Sequence, residues 1–420
     1  MRNFLYLILS ATLLSACAWT SPQPSAQPRT GTWRMELAMQ DRILPFSFEL
    51  TNSDSGTWSM QIHNGHEHIR VDEVRLQHDT LVARMPLYDS EFRGIVRNDS
   101  LIEGHWHNYL KGPDYRIPFV AKAGLTHRFP GPSNGAAQIA GAWEVRFSRG
   151  TPDAYNAIGQ FEQHADGLAT GTFMTETGDY RFLEGRVHQD SLLLSCFDGS
   201  HAFLFAAQLV GDSLHGRFYS GTHWQEPWVA VRNADFRLRD PDSLTFLREG
   251  HTMIDLRFPD TDGNMVSSTD ERFRGKPLMV QIMGSWCPNC VDETRLLNEL
   301  HAKYNERGLE VLAVAFEKYD DPARAQQALK RYQSTLQVRY PILYGGSASK
   351  EEAARKLPFL DHVMSYPTCI FVGRDGKVKR IRTGFYGPGT GRHYEAYKRD
   401  LEGYIEGLIN EGTATAQITP

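Results

Sequence analysis

The sequence predicts a molecule in two parts, an all-β antiparallel N-terminal part followed by an α/β part. Three observations predict this division. Residues 31 to about 235 show short runs of period-two alternation without helical periodicity, and they contain an internal repeat. From about residue 250, apolar strand-like runs alternate with segments of helical spacing. A chain of 420 residues is also too long for one compact core, so several domains are expected.

The N-terminal part contains two copies of one β-module. Three short motifs recur 110 to 113 residues apart: Gly31-Thr32-Trp33 as Gly141-Ala142-Trp143, Asp79-Thr80-Leu81 as Asp190-Ser191-Leu192, and Asp99-Ser100-Leu101 as Asp212-Ser213-Leu214. Turn residues such as Asn64-Gly65 and Gly178-Asp179 separate the alternating runs. We therefore predict two meanders of about eight strands, forming small barrels or a packed sandwich, over residues 31–123 and 136–238.

The C-terminal part is predicted to be one α/β domain over residues 250–412. Helical spacing follows an apolar strand at 278–283, and Gly308 is placed to end that helix. The glycine-rich run 387–391 lacks the Gly-Lys-Ser/Thr ending of a phosphate loop and is predicted to be a loop before the last helix. The predicted strands are 278–283, 309–316, 340–343, 368–372 and 378–383, and the predicted helices are 291–307, 322–335, 350–357 and 394–409.

The first residues predict export. Arg2 precedes an apolar stretch at 4–14 that is too short to span a bilayer. The stretch ends in Leu14-Ser15-Ala16-Cys17, which resembles the bacterial lipoprotein signal, with residues 1–16 as the signal peptide and Cys17 as the lipidated residue. The alternative is an ordinary cleaved signal. Residues 17–30 are then a proline-stiffened tether, and the protein would lie in the cell envelope, facing the periplasm, with the membrane left open.

A close cysteine pair, Cys287 and Cys290, lies within GSWCPNC at residues 284–290. A zinc site would need a second ligand pair at comparable spacing, and none is present. A structural disulfide would close too short a loop to constrain the unfolded chain much. A redox pair explains the context, because Cys287 begins a helix whose N-terminal N–H groups stabilise a thiolate, and Cys290 follows one turn later as the resolving thiol.

These residues resemble the TlpA-like or ResA-like thiol-disulfide oxidoreductases of the thioredoxin superfamily, over roughly residues 250 to 412. The matching motifs are Trp286-Cys287-x-x-Cys290 after a strand, Tyr366-Pro367-Thr368, and the hairpin Gly373-Arg374-Asp375-Gly376-Lys377. The resemblance implies that Pro367 is a cis-proline opposite the cysteines, that Trp286, Tyr366 and Thr368 contact substrate, and that Glu293 handles protons for the pair. A first-turn glutamate such as Glu293 is also a common partner of the helix dipole.

Two residues depart from thioredoxin itself. Gln281 stands where thioredoxin has its buried aspartate, and Pro288 comes first within the motif instead of second. The residues between the cysteines tune the reduction potential, so the direction of electron flow stays open.

The predicted function is reduction of protein disulfides by a membrane-anchored oxidoreductase that a membrane-linked donor re-reduces. No nucleotide-binding fingerprint is present, so no cofactor is expected. The net charge of -5 without a basic run gives no indication of nucleic-acid binding, and no metal site is predicted. Three alternatives stay open: a disulfide-forming oxidant, a thiol peroxidase, and a surface binding lipoprotein whose β-modules recognise a ligand. Against the peroxidase, Gly284-Ser285-Trp286-Cys287 lacks the Thr-x-x-Cys pattern of peroxiredoxins.

Overall fold

The computed structural model describes residues 26–130, 137–164 and 166–411. The predicted signal peptide and Cys17 lie outside these residues. The fold class is confirmed, with antiparallel β-structure in the N-terminal part and an α/β domain after it. None of the helices in the described ranges is long and apolar enough to cross a membrane.

The first β-module is a closed barrel of eight antiparallel strands in sequence order. Strand β1 pairs with both β2 and β8, which closes the barrel. The side chains alternate between a buried and a more exposed face, as the period-two pattern predicts. The strands are β1 (Gly31–Met39), β2 (Arg42–Asn52), β3 (Trp58–Asn64), β4 (Glu67–Gln77), β5 (Thr80–Arg84), β6 (Ser90–Asn98), β7 (Leu101–Asn108) and β8 (Arg116–Ala123).

The second β-module repeats this ring and adds one short strand. Strand β10 pairs with β9 and also with β11, so the sheet closes, and the two-residue β12 pairs with the end of β11. The strands are β9 (Gly141–Phe147), β10 (Tyr155–Gln163), β11 (Leu168–Thr175), β12 (Gly178–Asp179), β13 (Leu183–His188), β14 (Ser191–Phe197), β15 (Ala202–Val210), β16 (Ser213–Ser220) and β17 (Trp224–Arg232).

The sequence repeat corresponds to a repeated local structure. Trp33 and Trp143 are both fully buried, and each indole N–H donates to the carbonyl four residues earlier, at 3.0 Å and 2.8 Å. The glycines two residues before them, Gly31 and Gly141, have φ of 111° and 107°, a conformation that favours glycine. The Gly-x-Trp motif therefore sets the entry of the chain into each barrel.

The C-terminal domain contains a two-stranded ribbon and a five-stranded sheet of order β22-β21-β20-β23-β24. The pairings β20–β21 and β21–β22 are parallel, as the alternation of strands and helices predicts, and the other two are antiparallel. The elements are β18 (Arg257–Pro259), β19 (Met265–Ser267), β20 (Leu278–Met283), α1 (Pro288–Tyr304), β21 (Glu310–Glu317), α2 (Pro322–Thr335), β22 (Ile342–Ser347), α3 (Lys350–Lys356), β23 (Thr368–Val372), β24 (Val378–Thr383) and α4 (Arg392–Asn410).

Both β-modules pack against their neighbours. Phe197 of the second barrel stacks on Phe46 of the first at 4.7 Å between ring centroids, so the barrels share part of a core. Leu87 and Tyr88, between β5 and β6, belong instead to the apolar core of the C-terminal domain. The cysteine motif is therefore surrounded by residues from all three units.

Candidate functional site

The cysteine pair lies where β20 passes into α1. Cys287 is the N-cap of α1, and its Sγ accepts the backbone N–H of Cys290 at 3.3 Å. Pro288 occupies the first helical position, where a missing N–H costs no hydrogen bond, so the helix begins at the cysteine motif, as the motif predicts, and not only at the spacing that starts at residue 291. Both cysteines are free thiols. The geometry places the outer sulfur at the positive end of a helix, where a thiolate is stabilised.

The segment around Pro367 lies directly opposite Cys287. The Tyr366–Pro367 peptide bond is cis, and the Cys287 Sγ is 3.5 Å from the carbonyl oxygen of Tyr366. The Trp286 ring meets the Tyr366 ring edge-on, with 5.6 Å between centroids, and its indole N–H donates to the Phe316 carbonyl. Thr368 points inward, and its hydroxyl donates to the Ser365 carbonyl at 2.9 Å, so it supports the turn from within.

A buried polar network lies behind Cys290. The Gln281 amide donates to the Glu293 carboxylate at 2.9 Å, and its Nε2 is 3.3 Å from the Cys290 carbonyl. Gln281 Oε1 accepts the Thr294 hydroxyl. Burial raises the pKa of Glu293 to about 7, although the Gln281 hydrogen bond and the nearby positive charge of Arg382 oppose the shift. Burial, followed by the hydrogen bond and charge of Cys287, raises the pKa of the Cys290 thiol well above its usual value.

A second buried carboxylate, which the sequence analysis missed, lies on the other side of the pair. Glu317, at the end of β21, accepts the Ser285 backbone N–H at 2.8 Å and the Ser285 hydroxyl at 2.7 Å. Burial raises the pKa of Glu317 to about 7, against the lowering effect of both hydrogen bonds and of Lys318. The sequence shows a charged residue at the end of an apolar strand, but its partner Ser285 follows only from the parallel pairing of that strand with β20.

Lys318 completes this side of the site. Its ammonium lies 3.7 Å from the centroid of the Trp286 ring. Burial lowers the pKa of Lys318, while the negative charges of Cys287 and Glu317 act in the opposite direction. The lysine is therefore close enough to the outer cysteine to interact with its thiolate.

The structure thus brings together Trp286, Cys287, Cys290, Tyr366 and Pro367, and places Glu293 beneath them. Cys287 is only 6% exposed and Cys290 is fully buried. The chemistry that this arrangement can perform is exchange between a dithiol and a disulfide.

Comparisons with known proteins agree with the site. The AhpC/TSA family model matches residues 250–381. The thiol-disulfide oxidoreductase ResA of Bacillus thuringiensis subsp. konkukian is 28% identical over 149 residues, covering 35% of this chain and 70% of the relative. ResA of Geobacillus kaustophilus is 24% identical over 164 residues, covering 39% and 80%. A solved structure, described as a putative thiol:disulfide interchange protein DsbE from Chlorobium tepidum, is 23% identical with a TM-score of 0.30, covering 39% of this chain and 99% of that one.

The C-terminal region is therefore similar to proteins named as thiol-disulfide oxidoreductases, within the part of the chain that the AhpC/TSA family model also matches. The relatives that carry this name are ResA proteins, to which this chain is similar in about a third of its length.

Proposed function

We propose that the protein is an exported, lipid-anchored reductase of protein disulfides that works through a dithiol/disulfide cycle at Cys287 and Cys290. The observation that carries the proposal is the position of the Cys287 thiol, at the N-terminus of α1 and 3.5 Å from the carbonyl preceding Pro367. Export and anchoring rest on the signal-like residues 1–16 and on Cys17. The oxidoreductase activity is supported by the similarity to the proteins named thiol-disulfide oxidoreductase ResA.

The cycle begins with the Cys287 thiolate, which attacks one sulfur of the substrate disulfide. A mixed disulfide forms, and the other substrate sulfur leaves as a thiolate that takes up a proton. Cys290 then attacks the Cys287 sulfur, which releases the second substrate thiol and leaves a Cys287–Cys290 disulfide. Two electrons have passed to the substrate, and two cysteines have been oxidised.

Glu293 is the proposed proton acceptor for the second step. The raised pKa of Cys290 means that its thiol needs a base before it can attack. A carboxylate with a pKa of about 7 is poised between its protonated and ionised forms near neutral pH. The negative charge of Glu293 is among the causes that raise the pKa of Cys290, which supports a proton relay between the two groups.

A membrane-linked donor would return the pair to the dithiol. The sequence carries no nucleotide-binding fingerprint, so the electrons are proposed to come from another protein at the membrane that holds the lipid anchor. The partners are therefore protein thiols and disulfides on one side and this donor on the other.

The reduction potential of the pair is the test. The protein is equilibrated with glutathione or dithiothreitol buffers, alkylated, and analysed by mass spectrometry. A potential near about -270 mV supports a reductase, and one near about -120 mV would recast the protein as a disulfide-forming oxidant. A pair that does not cycle at all contradicts the proposal. Cys287→Ser is expected to abolish reduction of insulin disulfides, with Cys196→Ser as the control at a buried cysteine remote in sequence from the motif.

A further inference from the structure

A segment of the second β-module runs across the cysteine motif. This segment, residues 175–181, is called the strap; it contains β12 and the chain around it. Its backbone carbonyls accept hydrogen bonds from three parts of the C-terminal domain. The bonds join Asn289 Nδ2 to the Asp179 carbonyl at 3.2 Å, the Ser365 hydroxyl to the Thr177 carbonyl at 3.1 Å, and the Tyr386 hydroxyl to the Thr175 carbonyl at 2.9 Å.

The positions of these bonds define what the strap covers. Asn289 lies between the two cysteines, and Ser365 precedes the Tyr366–Pro367 cis bond. The strap therefore bridges the two loops that face each other across the Cys287 sulfur. This is the side from which the proposed reaction brings a substrate chain.

Glycines on both sides allow the strap to approach this closely. A Cβ on Gly178 would collide with the Asn289 side-chain amide. A Cβ on Gly384 would lie 2.9 Å from the Glu176 carbonyl oxygen, and one on Gly389 would lie 2.9 Å from the Arg181 carbonyl. Within the glycine-rich run 387–391, Gly389 packs against the backbone of the strap, whereas Gly387 faces the carboxylates of Asp292 and Asp179.

Arg181, at the end of the strap, ties the three units together. Its buried guanidinium forms ion pairs with Glu67 of the first barrel and with Asp292 on α1. It also donates to the Pro288 carbonyl at 3.2 Å and lies 3.9 Å from Asp198. A buried charge is costly unless it is paired, so these contacts favour one docked arrangement.

Two further contacts complete the cover. The Ser200 hydroxyl of the second barrel donates to the Trp286 carbonyl at 3.2 Å, and Tyr88 of the first barrel joins the apolar cluster that contains Cys287. Cys287 itself is 6% exposed. With so little of Cys287 exposed, a sulfur on a folded partner has little room for an in-line approach.

We propose that the strap is an autoinhibitory cover over the redox centre, and that it must leave the Asn289 and Ser365 loops before a protein disulfide can react with Cys287. This inference rests on the proposed function and adds regulation of the same site. The covered form is the resting state, and the rate of reaction with a protein disulfide is set by the fraction of molecules in which the strap has moved.

The test is a steric wedge in the strap, Gly178→Ala, in the full chain. The added methyl would collide with Asn289 in the covered form, and Gly178 has a φ of 144° that disfavours alanine. The matched control is Gly150→Ala, in the same module, where φ is 86° and nothing lies within 4 Å of the new Cβ. The control places an alanine at another positive φ without a collision.

The readout is the second-order rate at which the reduced protein reacts with insulin disulfides. Adding a methyl to a packed contact should destabilise the covered form by about 1.4 kcal/mol. Because that energy corresponds to a tenfold change in an equilibrium constant, Gly178→Ala is expected to raise the reaction rate about tenfold. Gly150→Ala is expected to match the parent protein. Equal rates for the two variants would overturn the proposal.

A measurement on the unaltered protein covers the case in which Gly178→Ala does not fold. N-ethylmaleimide and the same maleimide carried on a large polymer are compared, with labelling of Cys287 followed by peptide mass spectrometry. For each reagent, the labelling rate of Cys287 in the folded protein is divided by its rate in the urea-unfolded protein. If the site is covered, this ratio is at least tenfold lower for the polymer reagent than for the small one. No dependence on reagent size would overturn the cover.

The two proposals fail in different ways. If the Cys287–Cys290 disulfide does not form or reduce in dithiothreitol buffers, the proposed function fails whatever the strap does. If the pair cycles at equilibrium but neither the wedge nor the reagent size changes its rate, only the cover fails.

Discussion

Two buried carboxylates, Glu293 and Glu317, flank the cysteine pair, and their comparison shows how the same burial can serve different roles. Each is at most 3% exposed, and burial raises the pKa of each to about 7. They differ in what they bond. Glu293 accepts a side-chain amide within the network behind Cys290, whereas Glu317 accepts the backbone N–H and the hydroxyl of Ser285 in the loop before Cys287.

This difference teaches that a shifted pKa alone does not identify a proton carrier. Glu293 interacts with a thiol that must lose a proton, because its charge raises the pKa of Cys290. Glu317 makes two hydrogen bonds that hold the loop leading into α1, so it is a positioning residue. The comparison separates the two roles by hydrogen bonding: Glu293 shares the Gln281 amide with the Cys290 carbonyl, whereas Glu317 holds Ser285.

The largest effect is expected from removing the proposed proton acceptor, Glu293. Glu293→Gln should slow the release of substrate from the mixed disulfide by about a hundredfold, because general-base catalysis contributes at least that factor. The rate should also lose its dependence on a group that titrates near pH 7. Stopped-flow measurement of single turnovers across neutral pH checks both.

The matched variant is Glu317→Gln, which keeps an oxygen to accept the Ser285 N–H. It should retain the pH dependence that Glu293 supplies. A pH profile that survives in Glu293→Gln and disappears in Glu317→Gln would reverse the assignment of roles.

The pH dependence of stability is the next largest effect, and here the two carboxylates should behave alike. An acid whose pKa is raised on folding binds its proton more tightly in the folded state, so folding is favoured at low pH and loses stability as pH rises from about 4.5 to about 7. Each carboxylate should lower the free energy of unfolding by about 2–3 kcal/mol across that window.

Urea unfolding at pH 5 and at pH 7 measures this loss. The difference between the two pH values should shrink in Glu293→Gln and in Glu317→Gln, and shrink most in the double variant. An unchanged difference in either single variant would show that its carboxylate is ionised at both pH values.

The same pair of residues shows what sequence can and cannot predict. Glu293 is predictable because it follows Cys290 by one helical turn, so local spacing places it. Glu317 is distant in sequence from Ser285, and its role depends on β20 and β21 being adjacent and parallel. The repeated Gly-x-Trp motif likewise predicts two similar β-modules, because the information is local.

The strap could not be predicted in this way. Gly178-Asp179 has the composition of an ordinary turn, and nothing in its own sequence places it against Asn289. Arg181 acquires its role only when Glu67 and Asp292, from two other units of the chain, converge on it. The sequence predicts the close cysteine pair and two β-modules, with barrels and a sandwich both left open, whereas the packing of these units on one another is a tertiary property.

The smallest effect is expected at Lys318, which follows Glu317 in the chain and lies over the Trp286 ring. Lys318→Met should slow alkylation of Cys287 by about two- to fivefold, since a partly exposed charge pair contributes up to about 1 kcal/mol. The ammonium attracts the Cys287 thiolate while it lies over the Trp286 ring. Lys111→Met is the control, because Lys111 and Lys318 both line a cavity of about 660 Å³, and Lys111 lies against His223. Equal rates of Cys287 alkylation in the two variants would show that the Lys318 charge does not act on Cys287. The Glu317 side of the cysteine pair would then differ from the Glu293 side through Glu317 alone.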